Sequence, residues 1–303
     1  MGTPEFAVPS LEALIGSPDP VVAVVCQPDR PSGRGQKLSP LPVKVVALRN
    51  HIPVLQPDKL RPPEVLDSLR AWKPDLIVVA AYGKILPAAL LALPPLGCIN
   101  VHGSLLPKYR GAAPIQWAIL RGETVTGITI MQMNDRMDAG DILLQRETQI
   151  GAAETYGALQ ERLAHLGAEA LIDALAALKR GDLQGRAQDE SAATLAPKIE
   201  KADGKIDWRV AAVEIERRVR AFNPWPSAFA RLQDQLLKVH RAAVVTAPHG
   251  AEPGTVLDVR DALVVACGTG AFRLDEVQLQ GRQRLSGAVF ARGARLAPGR
   301  RLD

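Results

Sequence analysis

Short apolar runs alternate with helical segments along the first half of the chain. Continuous apolar stretches at residues 21–26, 75–81 and 98–101 are typical of strands covered on both faces. Helices are predicted between them, at residues 43–51 and 62–72. This alternation predicts a doubly wound, Rossmann-like α/β domain.

Further elements follow this alternation. Strands are predicted at residues 126–133 and 141–150, and the loop between them would let them pair as a hairpin-like edge. Apolar residues then recur at steps of three and four from Tyr156 to Leu178. This spacing predicts one long helix that packs an apolar stripe onto the sheet.

The last hundred residues carry a different pattern. Short apolar runs recur there, several of them separated by Gly or Pro, which is typical of a small antiparallel barrel. The polar stretch before them shows little periodicity. We therefore predict a doubly wound domain over residues 1–183, a linker over 184–203 and a small OB-like β-barrel domain over 204–303.

Composition limits the class of protein. Hydrophobic residues make up 47% of the 303 residues and charged residues 23%. No run approaches the roughly 18 apolar residues of a membrane helix, and no signal-peptide pattern precedes the first helix. Cys26, Cys98 and Cys267 have neither metal-ligand spacing nor a disulfide pattern. We expect a cytoplasmic monomer without a metal or membrane contact.

Basic charge is concentrated in the last third of the chain. The net charge is +5, and residues 204–303 contain 16 Lys and Arg against 10 Asp and Glu. Residues 277–302 contain six arginines and no acidic side chain. This distribution fits a polyanionic partner, although a solvated basic face would leave the same pattern.

Candidate chemistry lies where the CINV strand ends. Asn100 and His102 are two residues apart, so their side chains share one face, at the strand end where doubly wound folds place their sites. The Asn100 amide can donate to a carbonyl oxygen that gains negative charge, and His102 can move a proton near neutral pH. A later loop offers Asp135, Asp138 and Asp141 as partners for the imidazole. Ordinary turn or cap roles stay open for each, so the pattern alone indicates an α/β enzyme using Asn, His and Asp.

Longer motifs carry a family resemblance. The segments GCINVHGSLLPKYRGAAPIQWAIL and GITIMQMNDRMDAGDIL closely resemble the folate-dependent formyltransferases. GTPEFAVPSLEAL, QPDRPSGRGQKLSPLPVK, VVAAYGKILP and FNPWPSAF extend the resemblance along the chain, towards the branch that acts on tRNA. The resemblance implies transfer of a formyl group from the co-substrate 10-formyltetrahydrofolate to the α-amino group of initiator methionyl-tRNA, with release of tetrahydrofolate.

The resemblance also implies roles for individual residues. Asn100, His102 and Asp138 match the family's catalytic trio, and of the three loop aspartates only Asp138 stands at the family's position. The residues implied to contact folate are Ser104, Leu105, Leu106 and Pro107, together with Tyr82, Gly83 and Ile85 in the loop that should line the pterin pocket.

A basic loop at residues 27–44 is implied to reach the acceptor stem of tRNA. Arg34 matches the family's key arginine, and Arg30 and Lys37 are its predicted companions. The basic barrel would then hold the tRNA backbone, with binding that weakens steeply as salt rises. Taken alone, the loop could also be an ordinary basic surface loop.

Two rival functions and one departure from the family stay open. The rivals are a formyltransferase for a small amine, such as an amino sugar nucleotide, and a tRNA-binding protein without catalysis. The departure is that the family has an apolar strand before the GTPEF turn, whereas this chain begins with Met1 directly before Gly2. We expect the first domain to lack that strand, at a cost in backbone hydrogen bonds and core contacts.

Overall fold

The computed structural model describes residues 1–29, 40–245 and 249–303, and the backbone of residues 31–32 and 37–38. Two compact units divide the chain. The first comprises Met1–Pro114, Val125–Gln149 and Gln160–Pro197. The second comprises Ile115–Thr124, Ile150–Leu159 and Lys198–Asp303.

Helices and strands alternate through the first unit, and strands dominate the second. The helices are α1 (Val8–Ile15), α2 (Pro42–Arg49), α3 (Pro63–Ala71), α4 (Ala88–Leu91), α5 (Pro114–Arg121), α6 (Tyr156–Arg180), α7 (Ala212–Ala221) and α8 (Gly287–Gly293). Single 3-10 turns occur at Glu5–Ala7, Glu190–Ala192 and Lys201–Gly204. None of the helices in the described ranges is long and apolar enough to cross a bilayer.

The strands range from two to eleven residues in length. They are β1 (Val24–Val25), β2 (Pro31–Ser32), β3 (Lys37–Leu38), β4 (Val54–Leu55), β5 (Ile77–Ala80), β6 (Cys98–His102), β7 (Arg110–Gly111), β8 (Val125–Gln132), β9 (Ile142–Gln149), β10 (Leu195–Ala196), β11 (Ala228–Leu232), β12 (Gln235–Val245), β13 (Val256–Asp258), β14 (Leu263–Ala266), β15 (Ala271–Leu279) and β16 (Arg284–Ser286).

A four-stranded sheet with the order β5-β6-β8-β9 lies at the centre of the first unit. β5 and β6 are parallel, whereas β8 runs antiparallel to both β6 and β9. All five residues of β6 are buried, so both faces of this strand are covered. Gly167 of α6 packs closely over Val101, leaving no room for a side chain. The predicted α/β organisation and the β8–β9 pairing are confirmed.

A second pair of parallel strands, β1 and β4, lies beside this sheet in the same unit. Met1 and Gly2 lie between β1 and β5: the Gly2 amide donates to Val25 O at 3.0 Å, and the Ala80 amide donates to Met1 O at 2.9 Å. A cavity of about 420 Å³ adjoins this bridge. Its lining is largely apolar and includes β1, β5 and Leu11 of α1.

The second unit contains a curled antiparallel sheet, a half-barrel, which confirms the predicted small β domain. Its strands follow the order β11-β12-β15-β14-β13, and β16 adds to β15. The register of β12 against β15 shifts between Val239 and Ala242, where irregular pairing bends a strand. Ile215 and Val219 of α7 pack into the core that the curled sheet encloses.

The stretch predicted as a linker has a defined structure over residues 186–196, which we call the strap. Arg186 pairs with Ile142 at the start of β9, and β10 pairs in parallel with β7. Its polar side chains bind the first unit through hydrogen bonds instead of burying an apolar face. The hydrophobic pattern of the sequence therefore does not predict the structure of the strap.

Candidate active site

Strand β6 fixes the first two candidate side chains. Asn100 and His102 are both buried, at 9% and 5% exposure. Asn100 pairs with Met131 of β8 and His102 with Thr129, two positions further along the same ladder. Since alternate residues of a strand share a face, the two side chains lie side by side, as the sequence predicts.

Asp138 brings the third group to the same face. It lies in the loop between β8 and β9 with φ +48°, a backbone conformation that few residues other than glycine adopt. Its Oδ2 lies 3.8 Å from His102 Nδ1, and its Oδ1 accepts a hydrogen bond from Asn100 Nδ2 at 3.5 Å. The Gly111 amide donates to Oδ2 at 2.9 Å. Asp135 and Asp141, the other loop aspartates, are exposed.

The hydrogen bonds of His102 define its orientation. Its Nε2 lies 3.0 Å from Tyr109 O, and a carbonyl oxygen can only accept, so Nε2 carries a proton. Nδ1 then faces the Asp138 carboxylate. A second proton on Nδ1 would give an imidazolium with an acceptor beside each nitrogen.

The run from Ser104 to Pro107 is held from behind by Thr129 of β8. Thr129 Oγ1 donates to Ser104 O at 2.7 Å and accepts from the Leu106 amide at 3.0 Å. The Ser104 hydroxyl donates to Lys108 O at 2.7 Å. Leu106 is buried, whereas Leu105 and Pro107 are half-buried. The run is thus a fixed backbone edge next to His102.

The predicted pterin loop leaves β5 where β6 ends, because the two strands are parallel and Ala80 pairs with Val101. The Tyr82 ring is buried, and burial raises the pKa of its hydroxyl to about 12. Gly83 has φ +76° and lies against the Gln27 side chain. The Ile85 side chain is 84% exposed. The loop after β5 therefore presents backbone groups and an exposed apolar side chain at the edge of the sheet where β6 ends.

The predicted tRNA loop is described only in part. Arg30 and Arg34 lie outside the described residues, and for Lys37 only the backbone is described, in the β2–β3 pair. At the start of the loop, Asp29 accepts hydrogen bonds from Lys44 Nζ and from Gln56 Nε2. The Lys44 contact, followed by that of Gln56, lowers the pKa of the Asp29 carboxyl.

Two side chains beside the Asp138 loop, Arg110 and Gln188, are functional candidates that no sequence motif predicts. Arg110 follows the HGSLLPKY run and is 7% exposed, and Gln188 belongs to the strap. The one signal in the sequence is an arginine inside an otherwise uncharged Tyr-Arg-Gly turn. Nothing in the polar stretch around Gln188 distinguishes it. Among the described residues, no three His, Cys, Asp or Glu side chains are grouped to hold a metal ion.

Comparison with known protein families shows which family the chain belongs to. The sequence profile of the formyl transferase family matches residues 1–175, and that of the formyl transferase C-terminal domain matches residues 198–295. The chain belongs to the formyl transferase family. The family resemblance predicted from the motifs is thereby confirmed, and the β6 trio lies inside the first matched region.

Family members of high identity cover the whole chain. A methionyl-tRNA formyltransferase from Geobacter metallireducens is 50% identical over 303 residues, which are 100% of this chain and 97% of that protein. The methionyl-tRNA formyltransferase of Citrifermentans bemidjiense is 52% identical over 300 residues, 99% of this chain and 94% of that protein. The similarity therefore runs through both family domains.

Solved structures share the fold at low identity. An N-formyltransferase from Helicobacter canadensis, in complex with folinic acid and dTDP-3-aminofucose, has a TM-score of 0.66 and 17% identity, covering 94% of this chain and 97% of that chain. HypX from Aquifex aeolicus, in complex with tetrahydrofolic acid, has a TM-score of 0.59 and 22% identity. The match covers 80% of this chain and 43% of HypX.

Proposed function

We propose that this chain transfers the formyl group of 10-formyltetrahydrofolate to the α-amino group of methionyl initiator tRNA, for translation initiation. The observation that carries the proposal is identity of about 50% along the full chain to methionyl-tRNA formyltransferases. The buried Asn100, His102 and Asp138 cluster supplies the groups that acyl transfer needs. We expect the protein to act in the cytoplasm as a monomer.

The chemistry assigned to the cluster begins with attack of the methionyl amine on the formyl carbon. A carbon–nitrogen bond forms, and the carbonyl oxygen becomes an oxyanion. Asn100 donates a hydrogen bond to this oxyanion, and protonated His102 stabilises it further. Protonated His102 then gives its proton to the folate nitrogen, whose bond to the formyl carbon breaks, and the neutral imidazole takes up the proton that the amine loses. Asp138, 3.8 Å from Nδ1, stabilises the imidazolium before this proton leaves and after it is replaced.

A folate donor fits the surroundings of this cluster. The Ser104–Pro107 edge and the Tyr82–Ile85 loop lie at neighbouring strand ends and offer backbone polar groups beside apolar surface. Such a combination suits a flat heterocycle with polar edges. We assign the formyl donor to this edge, because the formyl carbon must lie within reach of Asn100 and His102.

Binding of tRNA is assigned to the basic part of the sequence. The surplus of Lys and Arg in residues 204–303 suits a phosphate backbone. Arg34, Arg30 and Lys37 are assigned to the acceptor end by their position in the family motif. Affinity for tRNA should therefore fall steeply with salt, whereas affinity for the folate should change little.

The two rival functions are not favoured. A small-amine formyltransferase would be expected to have its high-identity relatives among enzymes of that kind, whereas the relatives of about 50% identity are methionyl-tRNA formyltransferases. The likeness to the Helicobacter canadensis enzyme, at 17% identity, concerns the fold alone. A tRNA-binding protein without catalysis would have no need of a buried Asn100, His102 and Asp138 cluster.

The test is an acceptor comparison at fixed 10-formyltetrahydrofolate. Charged initiator tRNA, uncharged initiator tRNA and an amino sugar nucleotide are supplied separately, and formyl transfer is followed by mass of the released aminoacyl group or sugar. We expect formylmethionine from the charged tRNA alone. Transfer to the sugar amine with silence on methionyl-tRNA would replace the proposed function by its first rival.

A further inference from the structure

The first part of the strap, residues 186–192, holds one side chain that is not exposed. Every residue from 184 to 192, all of them described, is exposed except Gln188, which is half-buried. Polar residues in an exposed segment normally face water, so an inward-facing glutamine needs a partner for each of its polar atoms. Those partners lie in the loop that carries Asp138 and in β7.

The Gln188 amide uses its donors on the Asp138 loop. Its Nε2 donates to Asp138 O at 2.8 Å and to Gly140 O at 2.7 Å. One side chain therefore holds the backbone on both sides of Ala139. The tip of this loop is largely exposed, with Met137 at 58% exposure, and an exposed ion pair of 3.3 Å between Arg136 and Glu190 also joins it to the strap.

The Gln188 oxygen faces the Arg110 guanidinium. Arg110 Nε and Nη2 donate to Gln188 Oε1 at 3.0 and 2.8 Å, which fixes which end of the amide faces the loop. The charge of Arg110 is balanced by Glu190, whose Oε2 lies 2.9 Å from Nη1. The buried Arg110 side chain thus links β7, to which it belongs, to the strap.

The same bridge reaches the Asp138 carboxylate. Gly111 follows Arg110 in β7, and its amide donates to Asp138 Oδ2 at 2.9 Å. Besides the 3.5 Å contact with Asn100, Asp138 is therefore held at its carbonyl by Gln188 and at its carboxylate by Gly111. Both restraints join a residue whose backbone has a positive φ, a conformation that persists only when its surroundings impose it.

We propose that Gln188 is a positioning residue of the formyl transfer, acting through Asp138. It keeps the carboxylate at the distance from His102 Nδ1 at which the imidazolium is stabilised. Displacing a catalytic group by about 1 Å can cost about a hundredfold in rate. The inference rests on the proposed function and adds a residue to which no role in the reaction is assigned.

The variants are chosen to keep the volume of the side chain. Gln188→Met has similar length and loses all four hydrogen bonds, whereas Gln188→Glu keeps the acceptor for Arg110 and loses the two donors. The matched control is Asp189→Ala, on the neighbouring residue of the strap. Among the described residues, Asp189 bonds with its own turn, to the Ser191 amide at 2.9 Å and the Ser191 hydroxyl at 2.7 Å.

We expect kcat for methionyl-tRNA to fall about 10- to 100-fold in both Gln188 variants. KM for tRNA and for folate should stay within about twofold, because neither substrate contacts Gln188 in this assignment. Asp189→Ala should retain wild-type kcat. A loss that falls on KM, or an equal loss in Asp189→Ala, would overturn the proposal in favour of a general structural role for the strap.

A double-mutant cycle separates positioning from folding. In an Asp138→Asn background, Gln188→Met should lower kcat by less than about threefold further, since the group it positions has lost its charge. Fully additive losses would show that Gln188 does not act through Asp138 and would overturn the proposal. Thermal unfolding of each variant reports any change in stability separately.

Hydrogen exchange gives a readout that needs no activity. In Gln188→Met, amides in peptides covering residues 132–142 should exchange faster than in the wild-type chain and in Asp189→Ala. Unchanged exchange there would overturn the positioning claim even if kcat fell. If instead the wild-type chain formylates no methionyl-tRNA, the proposed function fails, and the exchange result still decides whether Gln188 holds the Asp138 loop.

Discussion

Replacing Asp138 by Asn removes one charge from the cluster while keeping its shape. The Asn side chain has the same size, and its oxygen can still accept the hydrogen bond that the Gly111 amide donates to Oδ2 at 2.9 Å. The lost interactions are therefore the attraction between the carboxylate and a positive charge on His102 and the long, weak hydrogen bond of 3.5 Å from Asn100 to Oδ1. The fall in kcat of the variant measures how much these interactions stabilise the transition state relative to the bound substrates.

The magnitude follows from the separation of the two groups. At the 3.8 Å between Nδ1 and Oδ2, two unit charges attract by about 4 kcal/mol if the effective dielectric constant is about 20. The Asp138 side chain is 17% exposed, so water screens part of this attraction. A remaining loss of about 2 to 3 kcal/mol corresponds to about a 30- to 150-fold fall in kcat.

The assay is steady-state transfer to methionyl-tRNA at saturating folate, with Asp135→Asn as the matched control. Asp135 lies in the same loop but is exposed, so its replacement removes an equal charge without touching His102. We expect Asp135→Asn to keep kcat within about twofold of the wild-type value. Wild-type kcat in Asp138→Asn, or equal losses in both variants, would refute the electrostatic reasoning.

Three further predictions concern stability and reactivity. Gly127→Ala should destabilise the first unit by about 3 kcal/mol in urea unfolding, because the added carbon would lie 2.1 Å from Arg146 O; unchanged stability would contradict the close approach of β8 and β9. The three cysteines should resist a thiol reagent until the chain unfolds, since all are buried and burial raises the Cys267 pKa to about 12; rapid native labelling would contradict this. Burial lowers the His240 pKa in spite of its hydrogen bond with Gln278, so the folded chain binds this proton less readily than the unfolded chain. Stability should therefore decrease as pH falls below about 6.5, and His240→Gln should flatten that slope in pH-dependent unfolding.

Much of the fold could be predicted because apolar patterns report burial directly. The run at residues 98–101 became β6, which is buried along its whole length, and the alternation of runs and helices indicated the α/β unit. The run at residues 21–26 was a poorer guide, since only Val24–Val25 form a strand. Burial of a residue does not by itself say whether it has a hydrogen-bonded strand neighbour.

The site could be predicted from the residues alone only where the two-residue repeat of a β-strand determines which side chains share a face. Asn100 and His102 share a face because they are two apart on a strand, and this holds whatever surrounds them. The choice of Asp138 over Asp135 and Asp141 came from the family motif, because three aspartates in one loop are equivalent by composition. Gln188 lies 50 residues from Asp138 in the chain, and its inward orientation depends on tertiary contacts that no local pattern records.

The most direct test of the central claim compares the wild-type chain with His102→Ala in single-turnover transfer and in tRNA binding. We predict that the wild-type chain formylates methionyl initiator tRNA. In His102→Ala, transfer should fall by at least about a hundredfold, with tRNA affinity unchanged. Undiminished transfer in His102→Ala, or loss of tRNA binding together with transfer, would contradict the assignment of the β6 cluster to catalysis.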